Sequence, residues 1–164
     1  MSHTDYVEFY KPYTARIIKH IRKYIRPEAK IIMHSCGSNY YAQPDLIEIG
    51  LYVLNPVQPL ARNMEPWRLK KEFGEKLAFL GGFDIQELLP LGNKEQIREG
   101  AKKLIQEYAH GGGFIFATSH NIEPDSSPEN IVSMFDAAYE YGKYPIPEPT
   151  GQNYVDFIRG LNLH

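Results

Sequence analysis

The short segment His-Ser-Cys-Gly at residues 34–37 combines two residue types that bind transition metals. Cys36 is the only cysteine of the chain, and it lies two residues after His34. In an extended segment, residues i and i+2 project to the same side, roughly 6–7 Å apart at the backbone. An imidazole and a thiolate in this arrangement can bind one ion, and this ligand pair suits zinc better than calcium or magnesium.

A catalytic zinc site needs a third protein ligand and an open coordination position. His120 is the natural third candidate, because it follows another apolar run at residues 112–118. The competing interpretation is structural. Free cysteine is among the most buried residue types, and a histidine at a strand end is often a hydrogen-bonded packing residue. Spacing alone leaves a metal site and a structural pair both open.

Other polar residues also follow apolar runs and are candidates to bind a substrate. Asn55 and Gln58 can hydrogen-bond a polar ligand, although an Asn-Pro pair after a strand is also common in turns. Asp84 is either a carboxylate in a pocket or the N-cap of the following residues IQELL. Gln86 lies in the same segment and can contact a substrate through its amide.

Apolar periodicity and turn residues predict alternating helices and strands that position these groups. Strands are predicted over residues 30–34, 51–56, 76–82 and 112–118, and helices over residues 5–26, 44–50, 66–74, 93–109, 127–142 and 152–160. The strands are almost entirely apolar, as expected when both faces of a sheet are covered. The pattern therefore predicts an α/β fold with parallel strands joined by right-handed crossovers, either an open four-stranded sheet or part of a (β/α) barrel.

The candidate residues all follow the carboxyl ends of the predicted strands. These segments read HSCGSN, NPVQ, GGFDIQ and TSHNIEPD, whereas the segments at the opposite ends, RPEAK, IG, GEK and AHGG, carry fewer polar groups of interest. In parallel α/β folds all strand carboxyl ends point to one side, where the chemistry gathers. This asymmetry predicts a functional face. The tyrosines of the first helix are instead predicted to belong to the core and its rim: Tyr6, Tyr10, Tyr13 and Tyr24.

Composition excludes several classes of protein. The 164 residues are 43% hydrophobic and 23% charged, which is typical of one globular domain. The net charge of −2 and a pI near 6.3 give no sign of a nucleic-acid partner. No apolar stretch approaches the roughly 20 residues that span a bilayer, and the first ten residues lack the regions of a signal peptide. A single cysteine fits a reducing compartment, so we expect a cytoplasmic protein without membrane contact.

Several of these motifs, in this order, resemble the carboxyl-terminal half of the uroporphyrinogen decarboxylase (URO-D) superfamily. The similarity runs from about Phe9 to Tyr144 and rests on HSCGSN, NPVQ, LAFLGGFDIQELLPLGNKEQIREGAKKLI and GGGFIFATSHNIEPDSSPENIVSMFDAAYEYGKYP. That superfamily contains tetrapyrrole decarboxylases and zinc-dependent methyltransferases that act on corrinoids and thiols.

The resemblance implies a fold and a need for association. The family fold is a (β/α)8 TIM barrel, so residues 1–164 look like one domain formed by its last four βα units, a half-barrel. The essential aspartate and the carboxylate-binding arginines of the decarboxylases belong to the other half, and no residue here matches them. A half-barrel leaves two open edges, which predicts a homodimer or a complementing N-terminal half-barrel.

The resemblance also implies roles for the candidate residues. His34 and Cys36 match the HxC pair that binds zinc in the methyltransferase branch. His120 lies where that branch usually has a cysteine ligand and where the decarboxylases have a substrate-contacting histidine. The implied function is methyl transfer between a corrinoid and a thiol, with His120 and Asp84 in the catalytic set and a corrinoid protein as a possible partner. The alternatives are decarboxylation of a tetrapyrrole, with Cys36 incidental, and a non-catalytic half-barrel subunit.

Overall fold

The computed structural model describes residues 2–163. Its elements in chain order are α1 (His3–Asp5), a π-helix (Tyr6–Tyr10), α2 (Lys11–Tyr24), β1 (Ile32–His34), a 3-10 turn (Tyr40–Ala42), α3 (Gln43–Glu48), β2 (Val53–Val57), α4 (Pro66–Phe73), β3 (Ala78–Phe83), α5 (Leu88–Leu91), α6 (Lys94–Ala109), β4 (Phe114–Thr118), α7 (Pro128–Tyr141) and α8 (Tyr154–Gly160).

The four strands form one parallel sheet in the order β1-β2-β3-β4. Each strand is followed by a helix before the next strand begins, so the predicted α/β fold with parallel strands is confirmed. In the described part of the chain β1 pairs only with β2, and β4 pairs only with β3, which leaves the sheet open at both edges. The register shifts between Leu54 and Val57, in the segment that contains Asn55.

The predicted first helix is present but is not uniform. Helical structure runs without a break from His3 to Tyr24, with a π-helical turn immediately before α2. Pro12 lies in the first turn of α2, where its missing N–H group is best tolerated, and the wider π-helical turn precedes it. The predicted strands also begin about two residues too early. Before the first three strands, the apolar residues Ile31, Leu51 and Leu77 carry the same signal as the strands.

The core lies between the sheet and the helices that follow its strands. Leu54 and Phe79 of neighbouring strands are fully buried, and so are Leu104 and Tyr108 of α6. The Tyr108 ring packs against Phe79 at 5.0 Å between ring centroids and stacks on Phe114 at 4.9 Å. Aromatic packing therefore fixes α6 against β3 and β4. Among the described residues, no helix combines the length and apolar character needed to cross a membrane.

Candidate metal centre

Three side chains from the two edges of the sheet meet at its carboxyl end. One ligand atom each from His34, Cys36 and His120 lies within 4.8 Å of the other two, and all three residues are exposed. The rings of His34 and His120 are 5.8 Å apart between centroids and nearly perpendicular. The structure thus brings together the three residues predicted as metal ligands, and binding of an ion by them stays a prediction.

The end of β1 and the end of β2 together orient His34. His34 is the last residue of β1, and the backbone N–H of the next residue, Ser35, donates to the carbonyl oxygen of Asn55 at 2.6 Å. The Asn55 side chain then reaches back to the imidazole, with 2.9 Å between its Oδ1 and Nδ1 of His34. Because Oδ1 can only accept, Nδ1 is the donor, and the lone pair of Nε2 points away from Asn55. Nε2 lies 3.2 Å from Sγ of Cys36.

The loop after β1 holds Cys36 beside His34. Gly37 has φ +77°, a conformation that favours glycine, and it turns the chain directly after the cysteine. The N–H of Gly37 donates to Oε1 of Gln58, the first residue after β2. The side-chain nitrogen of Asn39 donates to the Ser35 carbonyl at 2.9 Å and closes the loop on itself. Cys36 is exposed and is therefore not a packing residue of the core.

The last residues of β4 place His120. The N–H of Ser119 donates to the carbonyl of Phe83 at 2.8 Å, which extends the pairing of β3 and β4 by one residue. The hydroxyl of Thr118 donates to the carbonyl of His120 at 2.6 Å and tightens the turn that follows. These bonds fix where the chain leaves β4. From there the ring of His120 approaches the ring of His34, which comes from the opposite edge strand, β1.

The spacing of His34 and Cys36 suits two ligands of one tetrahedral zinc ion, and the ligand atom of His120 lies within 4.8 Å of both. Zn–N bonds of about 2.0 Å and Zn–S bonds of about 2.3 Å at a tetrahedral angle require roughly 3.6 Å between the two donor atoms. The 3.2 Å between Nε2 of His34 and Sγ of Cys36 comes within a few tenths of an ångström of that separation. Three protein ligands would leave a fourth tetrahedral position to a small molecule, which is the arrangement of catalytic rather than structural zinc sites.

The other predicted site residues take different positions. Asn55 and Gln58, predicted to contact substrate, are bonded to His34 and to the N–H of Gly37, next to Cys36, and their contact with substrate stays a prediction. Asp84 is 2% exposed and does not join the metal-ligand group. Its Oδ1 accepts from the N–H groups of Glu87 and Leu88 at 2.8 and 2.9 Å, which is the capping arrangement that the sequence also allowed. Gln86 is exposed.

A buried carboxylate lies on α6, outside the group of three candidate ligands. Glu107 is 5% exposed, and its Oε1 accepts from the backbone N–H of Tyr154 at the start of α8. The Tyr154 hydroxyl in turn accepts from the N–H of Asp84 at 2.8 Å. Burial raises the pKa of Glu107 to about 7, while the N–H groups of Tyr154 and Trp67 and the Lys103 charge partly offset that shift. The Trp67 contact falls short of a hydrogen bond, because Oε2 has no partner within residues 2–163. Sequence patterns gave no sign of this group.

Comparison with known proteins assigns the chain to a protein family. The family model described as uroporphyrinogen decarboxylase (URO-D) matches residues 1–141, and the chain belongs to that family. The uroporphyrinogen decarboxylase of Nitrosococcus oceani is 25% identical over 141 residues, and that of Vesicomyosocius okutanii is 27% identical over 143 residues. These matches cover 85% and 87% of this chain but only 38% and 39% of the relatives.

A solved structure gives the same architecture. A methyltransferase from Methanosarcina mazei matches with a TM-score of 0.68 at 18% identity, over 87% of this chain and 39% of that chain. With four parallel βα units and two open edges, the chain is a half-barrel of the (β/α)8 type, as predicted. The chain spans about two fifths of the length of the relatives that it matches.

Proposed function

We propose that this chain carries the metal-binding half of a zinc-dependent methyltransferase that transfers a methyl group from a corrinoid to a thiol. The single observation that carries the proposal is the convergence of the His34, Cys36 and His120 donor atoms within 4.8 Å. Similarity to a protein named as a methyltransferase supports it at the level of the fold.

Each residue of the site has a defined task in this proposal. When bound, zinc would take a substrate thiol in its open position and favour the thiolate at neutral pH. Cys36 supplies the soft, negatively charged ligand, and the two imidazoles complete the set. The Oδ1 of Asn55 accepts a hydrogen bond from Nδ1–H of His34 and so fixes the tautomer that offers Nε2 to the ion. Gln58 fixes the turn at Gly37 that presents the cysteine.

A second candidate function is decarboxylation of a tetrapyrrole, favoured by the names of the curated relatives. In that case His120 would contact substrate, and Cys36 would have only a structural role. The exposure of Cys36 next to two imidazoles supports the metal site instead, because a structural cysteine is usually packed in the core. Turnover of a porphyrinogen by the chain would favour the second candidate.

The chain is proposed to work in an assembly. Ile32 on β1 and Ile115 on β4 are 55% and 49% exposed, and within residues 2–163 no strand pairs with the outer side of either edge strand. Tyr13 of α2 and Phe135 of α7 are also about half exposed or more. We expect a second copy or a complementing half-barrel to cover these edges, and a corrinoid protein to dock at the metal centre. Light scattering that finds a stable monomer at high concentration would contradict self-association.

The deciding experiment measures metal. After purification under reducing conditions and exposure to zinc, the chain should retain about one equivalent by elemental analysis. Cys36→Ser and His120→Ala should each reduce that content sharply, whereas His20→Ala, which changes an exposed histidine on α2, should not. Less than about a tenth of an equivalent in the unmodified chain would refute the proposal. Because Cys36 must stay reduced to bind metal, the proposal includes a reducing compartment such as the cytoplasm.

A further inference from the structure

A cavity of about 410 Å³ adjoins the metal centre. His34 and Cys36 form part of its wall, and the opposite wall comes from α1, the π-helix and the first turn of α2. This volume lies within the range of small-molecule binding sites, about 300–1,000 Å³. The cavity therefore offers room beside Cys36 for a molecule larger than a bare thiol.

The wall of the cavity combines aromatic and apolar residues with small polar ones. The rings of Tyr6, Tyr10 and Tyr41 contribute to it, together with Met33 and Leu46. Tyr10 and Tyr41 are 56% and 60% exposed, so they are accessible from solvent. Aromatic rings of this kind bind apolar and aromatic groups with large contact area.

Most polar side chains of the wall already have partners inside the protein. The Ser38 hydroxyl donates to the Arg62 carbonyl at 2.7 Å, and the Thr14 hydroxyl donates to the Tyr10 carbonyl at 3.2 Å. The Asn39 side chain is bonded on both its oxygen and its nitrogen. These three side chains are therefore occupied, and the buried hydroxyl of Tyr6, which has no partner within residues 2–163, can make one hydrogen bond to a ligand.

The wall also lacks a permanent charge that could pair with an ionic ligand. None of its residues is Lys, Arg, Asp or Glu. His3 of the wall is already paired: Asp45 lies 2.7 Å from its Nε2 and 2.7 Å from Nζ of Lys11. A charged group placed here would lose water without gaining a free partner.

We propose that this cavity binds the organic tail of the thiol substrate, and that the tail is uncharged and apolar or aromatic. The inference rests on the proposed function, because it takes the sulfur of the thiol to lie beside Cys36. It assigns Tyr10 and Tyr41 as specificity-determining residues, since their rings would contact the tail and not the metal.

The first test measures thiol binding to the chain loaded with Co²⁺, whose absorption reports coordination by sulfur. Benzyl mercaptan should bind about tenfold more tightly than 2-mercaptoethanol, because the ring buries apolar surface in the cavity. The anionic thiol 2-mercaptoethanesulfonate should gain no such advantage. Equal affinity of benzyl mercaptan and 2-mercaptoethanol, or tighter binding of the sulfonate, would overturn the proposal.

Two substitutions in the cavity wall test whether the tail of the thiol binds there. Tyr10→Ala and Tyr41→Ala should each weaken benzyl mercaptan about threefold or more and leave 2-mercaptoethanol unchanged. Tyr13→Ala is the matched control, since Tyr13 is 62% exposed and lies outside this cavity. If the control weakens binding as much as the two cavity variants, the assignment is wrong.

A second test needs neither metal nor thiol. In saturation-transfer-difference NMR, benzyl alcohol mixed with the metal-free chain should show signals transferred from the protein. These signals should decrease in Tyr10→Ala and Tyr41→Ala, and stay unchanged in Tyr13→Ala. Absence of these signals would refute the cavity assignment directly. If instead the benzyl alcohol signals appear as expected and no thiol perturbs the Co²⁺ spectrum, the zinc–thiol function fails while the apolar binding site stands.

Discussion

Glu107 predicts an unusual dependence of stability on pH. Its side chain is buried on α6, accepts the N–H of Tyr154, and has a pKa raised by burial to about 7 from a reference of 4.5. The folded state therefore holds a proton that the unfolded chain releases near pH 4.5. The contribution to stability is fully present below about pH 4.5 and is lost as pH rises through about 7, opposite to a carboxylate in an ion pair.

The size of the effect follows from the shift. The difference between 7 and 4.5 is 2.5 units, and one unit corresponds to about 1.4 kcal/mol, so ionisation of Glu107 should remove roughly 3 kcal/mol of stability by pH 8. Glu107→Gln keeps an oxygen that accepts the Tyr154 N–H but cannot ionise. The variant should gain stability relative to the unmodified chain as pH rises from 5 to 8.

Urea unfolding at several pH values between 4.5 and 8 measures this difference. Glu95→Gln is the control, because Glu95 is exposed at the start of the same helix. Parallel pH profiles for Glu107→Gln and the unmodified chain would refute the reasoning, since they would show that Glu107 titrates alike in both states. A direct check is the titration of the Glu107 side-chain carbon by NMR, which should have its midpoint near 7 rather than near 4.5.

Three other changes test the site and the scaffold. Asn55→Ala should lower zinc affinity about 10- to 100-fold in competition with a chelator, because His34 loses the partner that fixes its tautomer, whereas Gln86→Ala should have no effect; equal affinities would contradict the positioning role. Leu104→Ala should reduce the free energy of unfolding by about 2–5 kcal/mol in urea, because the side chain is fully buried, and a loss below 1 kcal/mol would argue against this core. Asn93→Ala should cost about 0.5–2 kcal/mol, because Asn93 and Gln96 cap α6 reciprocally at 2.9 and 2.8 Å; an unchanged midpoint would show that the cap contributes nothing.

Local patterns predicted the elements well where the signals are short-range. Asn93 marks the start of α6, and Ser127 followed by Pro128 marks the start of α7, because capping and proline preferences depend only on neighbouring residues. The π-helical turn before α2 was not predicted. The hydrophobic spacing there is helical in either form, and the distinction depends on how the backbone accommodates Pro12.

The tyrosines of the first helix show a limit of periodicity. They were predicted to belong to the core and its rim, yet Tyr10, Tyr13 and Tyr24 are all more than half exposed, and only Tyr6 packs against the core. An apolar stripe shows that a helix has a face to bury, but it cannot show whether this chain supplies the covering surface.

The sequence by itself determined the order of strands and helices, the polar character of the strand ends, and the choice of His34, Cys36 and His120 as candidates. Only the tertiary structure decided that these three meet, because His120 lies on the opposite edge of the sheet and its position depends on the curvature and pairing of four strands. It also showed that the side chains of Asn55 and Gln58 bond to His34 and to the turn after Cys36, while their contact with a substrate stays a prediction. Hydrogen-bond partners far apart in sequence are set by packing, which no local pattern encodes.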